Sequence, residues 1–337
     1  MKKLTTQLFL LLATISTILN AHEGPWTSAR PDGHAPITVM GDHMHAKGEW
    51  MLSYRYMTMK MEGLLDGSSD VTAMAANAKY GFNAMMLPKE MTMDMHMFGA
   101  MHALSDQLTL MGMVNYLDNE MTMQGAAMAP METSGLGDLK LSGLYDLARI
   151  DGGRRIHLNL GISVPTGDID EKKADGSIMP YGMQLGSGTW DLAPALTFLG
   201  QSEDYSWGAQ IGGILRLDDN DRDYSLGNRF EASLWGAGKL TDSLSVSAKI
   251  DHSSQDEVDG QDKDVTMMMR NMSPGYNSAH QGGDLTTLGL GLNYYFQNGG
   301  LAGHRLAAEW EAPISQDVNG IQLETDSIWT FGWQYAW

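Results

Sequence analysis

The connections between the apolar segments of this chain alternate between long and short, and few folds ask for that order. Twelve stretches of 10–14 or so residues carry large apolar side chains at every second position: 49–61, 90–103, 107–118, 137–147, 154–164, 189–200, 204–217, 228–239, 243–253, 284–297, 303–313 and 325–337. A period of two is the mark of a strand with one apolar face. These strands exceed the five or six residues usual in soluble sheets and suit a tilted membrane crossing. Between them, 62–89, 119–136, 165–188, 218–227, 254–283 and 314–324 are long, while 104–106, 148–153, 201–203, 240–242 and 298–302 are short. Acidic loops such as "QDEVDGQDKD" fall on the long side, and turns such as "LSD" and "LTD" on the short one. Short periplasmic turns and longer extracellular loops are the pattern of outer-membrane barrels. The sequence therefore predicts an all-β fold: a transmembrane antiparallel up-and-down β-barrel of about twelve strands, with both termini in the periplasm.

The two ends of the chain agree with this. It begins "MKKLTTQLFLLLATISTILNAHEGPW": two lysines, an apolar run from Leu8 to Leu19, and small residues before Ala21, which reads as a signal peptide over 1–21. The run falls short of the roughly 20 apolar residues that a spanning helix needs. Cleavage after Ala21 makes His22 the mature amino terminus, and 22–48 is then expected as a periplasmic Met/His segment ahead of a barrel over 49–337. The chain ends "IWTFGWQYAW", with Trp329, Phe331, Trp333, Tyr335 and Trp337 on one face. In a barrel the layer that covers such a face is lipid, with the outer rings at the interface. A terminal aromatic strand also resembles the signal that the outer-membrane assembly machinery reads. The expected surroundings are the Gram-negative outer membrane, its bilayer and its lipopolysaccharide.

Composition removes several classes. With no cysteine, thiol, iron–sulfur and Cys-based zinc chemistry are excluded. The formal charge of -19 becomes -21 once Lys2 and Lys3 leave with the leader, so a nucleic-acid partner is not expected. No nucleophile elbow, zincin helix or phosphate-binding glycine loop is present, and the chain is not expected to be an enzyme.

The chain carries three glycine-rich motifs: "SGLGDLKLSGLYDL" with Gly137-Asp138, "LGISVPTGD" with Pro165 to Asp168, and "LGSGTWDLAPALTFL" with Gly186 to Trp190. Together they resemble the outer-membrane family named after the meta-pathway of phenol degradation, often labelled simply "transporter". The resemblance covers roughly 49–337 and implies a β-barrel porter or channel for a small solute. It implies no catalytic residues.

The methionines are the anomaly, 27 of them, massed in runs such as "YMTMKM" and "MLPKEMTMDMHMFGAM". Met is an adaptable apolar filler, and Met91, Met93, Met95, Met97 and Met101 are expected to cover the lipid face, leaving Asp94, His96 and His102 to the lumen. With Trp50 to Tyr56 facing lipid, Met57 and Met59 point inward, as does Met113. The expected lumen patch is Met57, Met59, Asp94, His96 and Met113. Thioether with imidazole suits copper, Cu(I) preferring sulfur and Cu(II) nitrogen. His43, Met44 and His45 in "GDHMH", together with the amine and imidazole of His22, extend this set. In the acidic loop, Asp219, Asp221 and Asp223 have calcium-loop spacing, but Tyr224 and Phe230 stand where that loop needs Gly and Glu; a solvated loop that bridges divalent ions at the lipopolysaccharide is the expectation. The leading reading is an outer-membrane channel for a small solute, linked to copper. The alternatives are a membrane-embedded hydrolase and a soluble periplasmic copper-binding β-protein.

Overall fold

The computed structural model describes residues 26–150 and 153–337. The signal peptide and His22 lie outside the described residues. Eleven strands follow in order: β1 (Trp50–Gly67), β2 (Pro88–Ser105), β3 (Leu108–Met123), β4 (Leu139–Ile150), β5 (Arg154–Val164), β6 (Asp191–Gln201), β7 (Tyr205–Arg216), β8 (Arg229–Lys239), β9 (Leu244–Gln255), β10 (Gly283–Tyr295) and β11 (His304–Ala336). Each pairs antiparallel with its sequence neighbour, and β11 returns to pair with β1. The ring is therefore closed, which leaves no unpaired backbone edge in the membrane.

The last strand makes two passes. Residues 305–318 pair with β10, and residues 318–336 pair with β1. The two arms lie side by side: Thr325 N donates to Gln316 Oε1 at 2.9 Å, Gln316 Nε2 donates to Thr325 O at 2.8 Å, and Ala336 N reaches Gly303 O. The chain reverses at Asn319-Gly320, where Gly320 takes φ 65°, a value that disfavours any side chain. The barrel thus has twelve antiparallel passes. The eleven-residue loop expected over 314–324 is replaced by this tight turn, because the hairpin extends above the membrane.

Side chains sort by parity as the alternation requires. Trp329, Phe331 and Trp337 are 44–52% exposed on the outer surface, while Thr330 and Gln334 between them are buried inside. Phe98, Leu160, Ile211 and Leu290 share the outer face, each about half exposed. A soluble sandwich would not leave such a belt in water; this barrel sits in the outer membrane. Above it, the long connections carry α1 (Ala73–Tyr80) and α2 (Met267–Met272), each with a threonine N-cap, Thr72 and Thr266.

Residues 26–48 do not extend into the periplasm. Residues 26–45 lie inside the barrel, with 31–37 and 41–45 buried there, while 46–48 are exposed beside the Asp106 turn. The reason is the polarity of the inner wall, described below.

Replacing Leu290 with Arg, half exposed in the middle of β10, is expected to cost about 2–4 kcal/mol of membrane-embedded stability. Denaturant unfolding in liposomes measures it. A tag beside the exposed Met268 is expected to be reachable on intact cells, and one within 240–242 is not.

Candidate functional site

A barrel of this size encloses a lumen that its inward side chains must fill or line. Here the inner wall is polar. Arg55, Thr109, His157, Thr197, Lys249, Arg305, Glu309 and Glu311 are all buried, and each needs a partner there. Residues 26–48 supply many of those partners and form a plug. Thr27 exchanges hydrogen bonds with the Gln201 amide at 3.0 Å. Arg305 donates to the carbonyls of Ser28, Arg30 and Pro31. Arg55 Nε donates to Ile37 O at 2.9 Å, Gln210 Nε2 to Met40 O at 3.0 Å, and Thr109 Oγ1 accepts from His45 N. The plug thus touches β1, β3, β6, β7 and β11. Only a segment within the ring can reach strands on all sides of it.

The deepest anchor is electrostatic. Lys249 Nζ lies 3.0 Å from Glu309 and 3.4 Å from Glu311, and also pairs with Asp251. Thr38 donates to Glu309 Oε2 through both its N–H and its hydroxyl, and Lys249 donates to the Thr38 hydroxyl. The plug therefore completes a buried charged network instead of merely occupying space.

Four titratable residues of the plug meet at one place. The His34 and His43 ring centres are 3.8 Å apart, and His43 and His45 are 4.8 Å apart. His34, Asp42 and His43 offer ligand atoms within 4.8 Å of one another. Asp42 Oδ1 accepts from His43 Nδ1 at 2.8 Å and Oδ2 accepts from Ala35 N at 2.9 Å. Burial pushes the His34 imidazole well below its usual pKa, and the Arg305 guanidinium adds to this. Burial drives His45 down to about 3, with His43 adding to the effect. Asp42 titrates below the usual carboxylate range despite burial, because His43 and the Ala35 N–H favour its ionised form. The cluster is thus two neutral imidazoles and a carboxylate around His43.

The structure separates the expected lumen patch. In the β1–β2 register, Tyr56 is opposite His96, Thr58 opposite Asp94, and Trp50 opposite His102. Directly opposed residues share a face, so Asp94, His96 and His102 lie outside with the aromatic ring systems. Tyr54 Oη bonds His96 Nδ1 at 2.8 Å, and Trp50 stacks on His102 at 4.1 Å. Met91, Met93, Met95, Met97 and Met101 are inside, the reverse of the expectation. Met57 and Met59 do face the lumen, opposite Met95 and Met93, and Met113 is buried there. A polar lumen is the usual case, and it is what the inward expectation for Asp94, His96 and His102 rests on. Here the histidines instead bond or stack against interfacial aromatics, and the lumen wall takes the thioethers. Met44 also leaves the imidazoles beside it, packing with Met51, Met101 and Leu144.

Toward the extracellular end these methionines form rows across the strands. Met61, Met91, Met121 and Met131 follow one another in register, and Met123, Met179 and Met183 pack with the last three of them. Met179 and Met183 arrive from the 165–190 loop. That loop is drawn inward by the three glycine-bearing motifs, which meet although they are far apart in sequence. Asp138 accepts from Gly167 N, Ser187 N and Ser187 Oγ at 2.7–3.0 Å. Asp168 O accepts from Leu185 N and Gly186 N. A Cβ on Gly186 would stand 2.4 Å from Gly167 O, so the crossing requires glycine. The two acidic loops also join, through Arg222 to Asp262 and Asp264 and through Tyr224-Ser225 paired with Asp259-Gly260. His34, the convergence at Asp138 and this loop pairing are the features that sequence reasoning missed. Only the motif glycines gave a signal for any of them.

Comparison with known proteins follows the same lines. The profile of the family described as "Putative MetA-pathway of phenol degradation" matches residues 90–304. An outer membrane channel of the COG4313 group from Pseudomonas putida F1 superposes with a TM-score of 0.65 at 13% identity, over 89% of this chain and 100% of that one. The KdgM porin covers 85% of this chain and 98% of its own at 9% identity, with a TM-score of 0.42. A sequence search of curated proteins finds no significant match.

Replacing Asp138 with Ala leaves the Gly167 and Ser187 amides without their acceptor, a loss of about 1–3 kcal/mol. The 165–190 loop is then expected to become protease-sensitive on intact cells while the barrel stays folded. Limited proteolysis followed by heat-modifiable gel migration checks both.

Proposed function

Since the chain belongs to the family described as MetA-pathway of phenol degradation, we propose that it is an outer-membrane channel for a small solute, closed on its periplasmic side by its own residues 26–48. The observation that carries this reading is how the plug is held. Its contacts with the wall are mostly hydrogen bonds that water can replace, such as Arg305 on three carbonyls and Thr38 on Glu309, beside two small apolar contacts, Ala35 and Val39 on Leu199 and Trp235, and Met44 on Met51, Met101 and Leu144. Displacing a segment held in this way costs those two small clusters and leaves the paired strands of the wall intact. The Pseudomonas putida structure of the same architecture bears the name outer membrane channel, which supports the reading.

For the solute, the thioether wall is the guide. With Asp94 and His96 outside, what remains of the patch is soft sulfur at Met57 and Met59, with Met93 and Met95 opposite them; Met113 faces the same lumen further toward the periplasm, opposite Gly99. Such a set suits Cu(I) over Cu(II). It also suits a small apolar molecule, since Met is polarisable and adaptable. Two partners belong to the same reading. The lipopolysaccharide meets the acidic extracellular loops, and the assembly machinery reads the terminal arm from Trp329 to Trp337.

Removing residues 26–45 is expected to raise conductance in a planar bilayer several-fold; unchanged conductance would refute the plugged-channel reading. Replacing Met57, Met59, Met93 and Met95 by Leu keeps volume and hydrophobicity. Copper uptake is expected to fall in that variant while passage of an apolar probe stays at the parent level. Copper uptake at the parent level would remove copper as the solute.

A further inference from the structure

The cluster of imidazoles inside the plug has no role in the closure described above, and its polar atoms are not all satisfied. We propose that His34 and His43, with His45 beside them, bind one borderline divalent cation, of the Zn2+ or Cu2+ class, which ties the inward limb of the plug to its return limb. His34 sits on the first limb; Asp42, His43 and His45 sit on the second, after the apex at Thr38. An ion held between the limbs would fix the plug in its closed shape. The proposal is independent of which solute the channel passes.

The tautomer at His43 supports the assignment. Asp42 Oδ1 accepts from His43 Nδ1, so the proton is on Nδ1 and the lone pair on Nε2. That Nε2 is fully buried and has no hydrogen-bond partner, and the same holds for His34 Nδ1 and His45 Nε2. A carboxylate behind a histidine is the usual support for a metal-bound imidazole. Nitrogen donors with a nearby carboxylate favour borderline divalent ions over Ca2+ or Mg2+, which take oxygen. The positive charges of Arg55 and Arg305 are nearby, but both guanidinium groups are held by carbonyls of the plug. Asp42 supplies the local negative charge.

The test uses the full mature chain, refolded or extracted in detergent, with His22→Ala in every sample so that an amino-terminal copper site cannot contribute. After chelation with EDTA, Zn2+ or Cu2+ is titrated separately. One ion per chain is expected. The Cu2+ form should show electron paramagnetic resonance splitting from at least two imidazole nitrogens. Asp42→Asn is expected to weaken binding about 10–100-fold, and the pair His34→Gln with His43→Gln to abolish it. Heat-modifiable migration establishes that each variant is folded. Substoichiometric binding by the parent overturns the proposal, as does full binding by the folded double variant. Should the double variant fail to fold, the nitrogen count in the parent decides: fewer than two imidazoles overturns the site, and two or more supports it.

Discussion

Everything in this barrel depends on the pairing of its first strand with its last. Trp50 and Trp337 exchange N–H···O=C bonds at 3.0 Å in both directions, and from there the register runs from Met51 opposite Ala336 to Thr58 opposite Trp329. Until those strands meet, two rows of backbone donors and acceptors would face hydrocarbon, each group costing several kcal/mol. Closure removes that cost. It also fixes parity for the whole ring, because directly opposed residues share a face and each strand passes its orientation to the next.

Once parity is fixed, the wall has two unlike surfaces. Outside, large rings and aliphatic side chains meet lipid. Inside, the ring carries Arg55, Lys249, Arg305, Glu309 and Glu311, which cannot remain unpaired in a narrow space. The plug answers this need in the lower half, and the methionine rows fill part of the upper half. The two halves differ in kind. The lower one is held chiefly by directional polar contacts, with small apolar clusters at Trp235 and Met44, and the upper one by soft apolar packing under a loop that Asp138 anchors.

The family motifs acquire a physical meaning in this arrangement. Gly137-Asp138, Gly167-Asp168 and Gly186-Ser187 lie on separate segments, yet they form one crossing point where two backbones touch. Glycine is required for the approach, and the aspartate collects amide donors that the crossing would otherwise strand. Their task is to bring the 165–190 loop over the lumen, which delivers Met179 and Met183 to the methionine cluster.

The sequence by itself determined the class of fold, the number of passes and the outward face of the terminal arm, since period-two alternation and alternating connection lengths are local properties. It also set Met57, Met59 and Met113 inward, because those parities follow from Trp50 to Tyr56 and from Leu110 to Tyr116. It could not orient β2. There the alternation of Met with Asp94, His96 and His102 is legible either way round, and only pairing with β1 decides it: His96 lands beside Tyr54 and Tyr56, outside. Nor could it place 26–48, which carries no strand signal and whose partners include residues 64 and 277 positions away. The histidine cluster is the clearest case. "GDHMH" puts Met44 between two imidazoles in sequence, but the fold turns Met44 away and brings His34 in. Asp42, His43 and His45 do stay together, but without a regular backbone their spacing does not say which of their neighbours joins them; in a plug shaped by the wall around it, tertiary contact chooses the ligands.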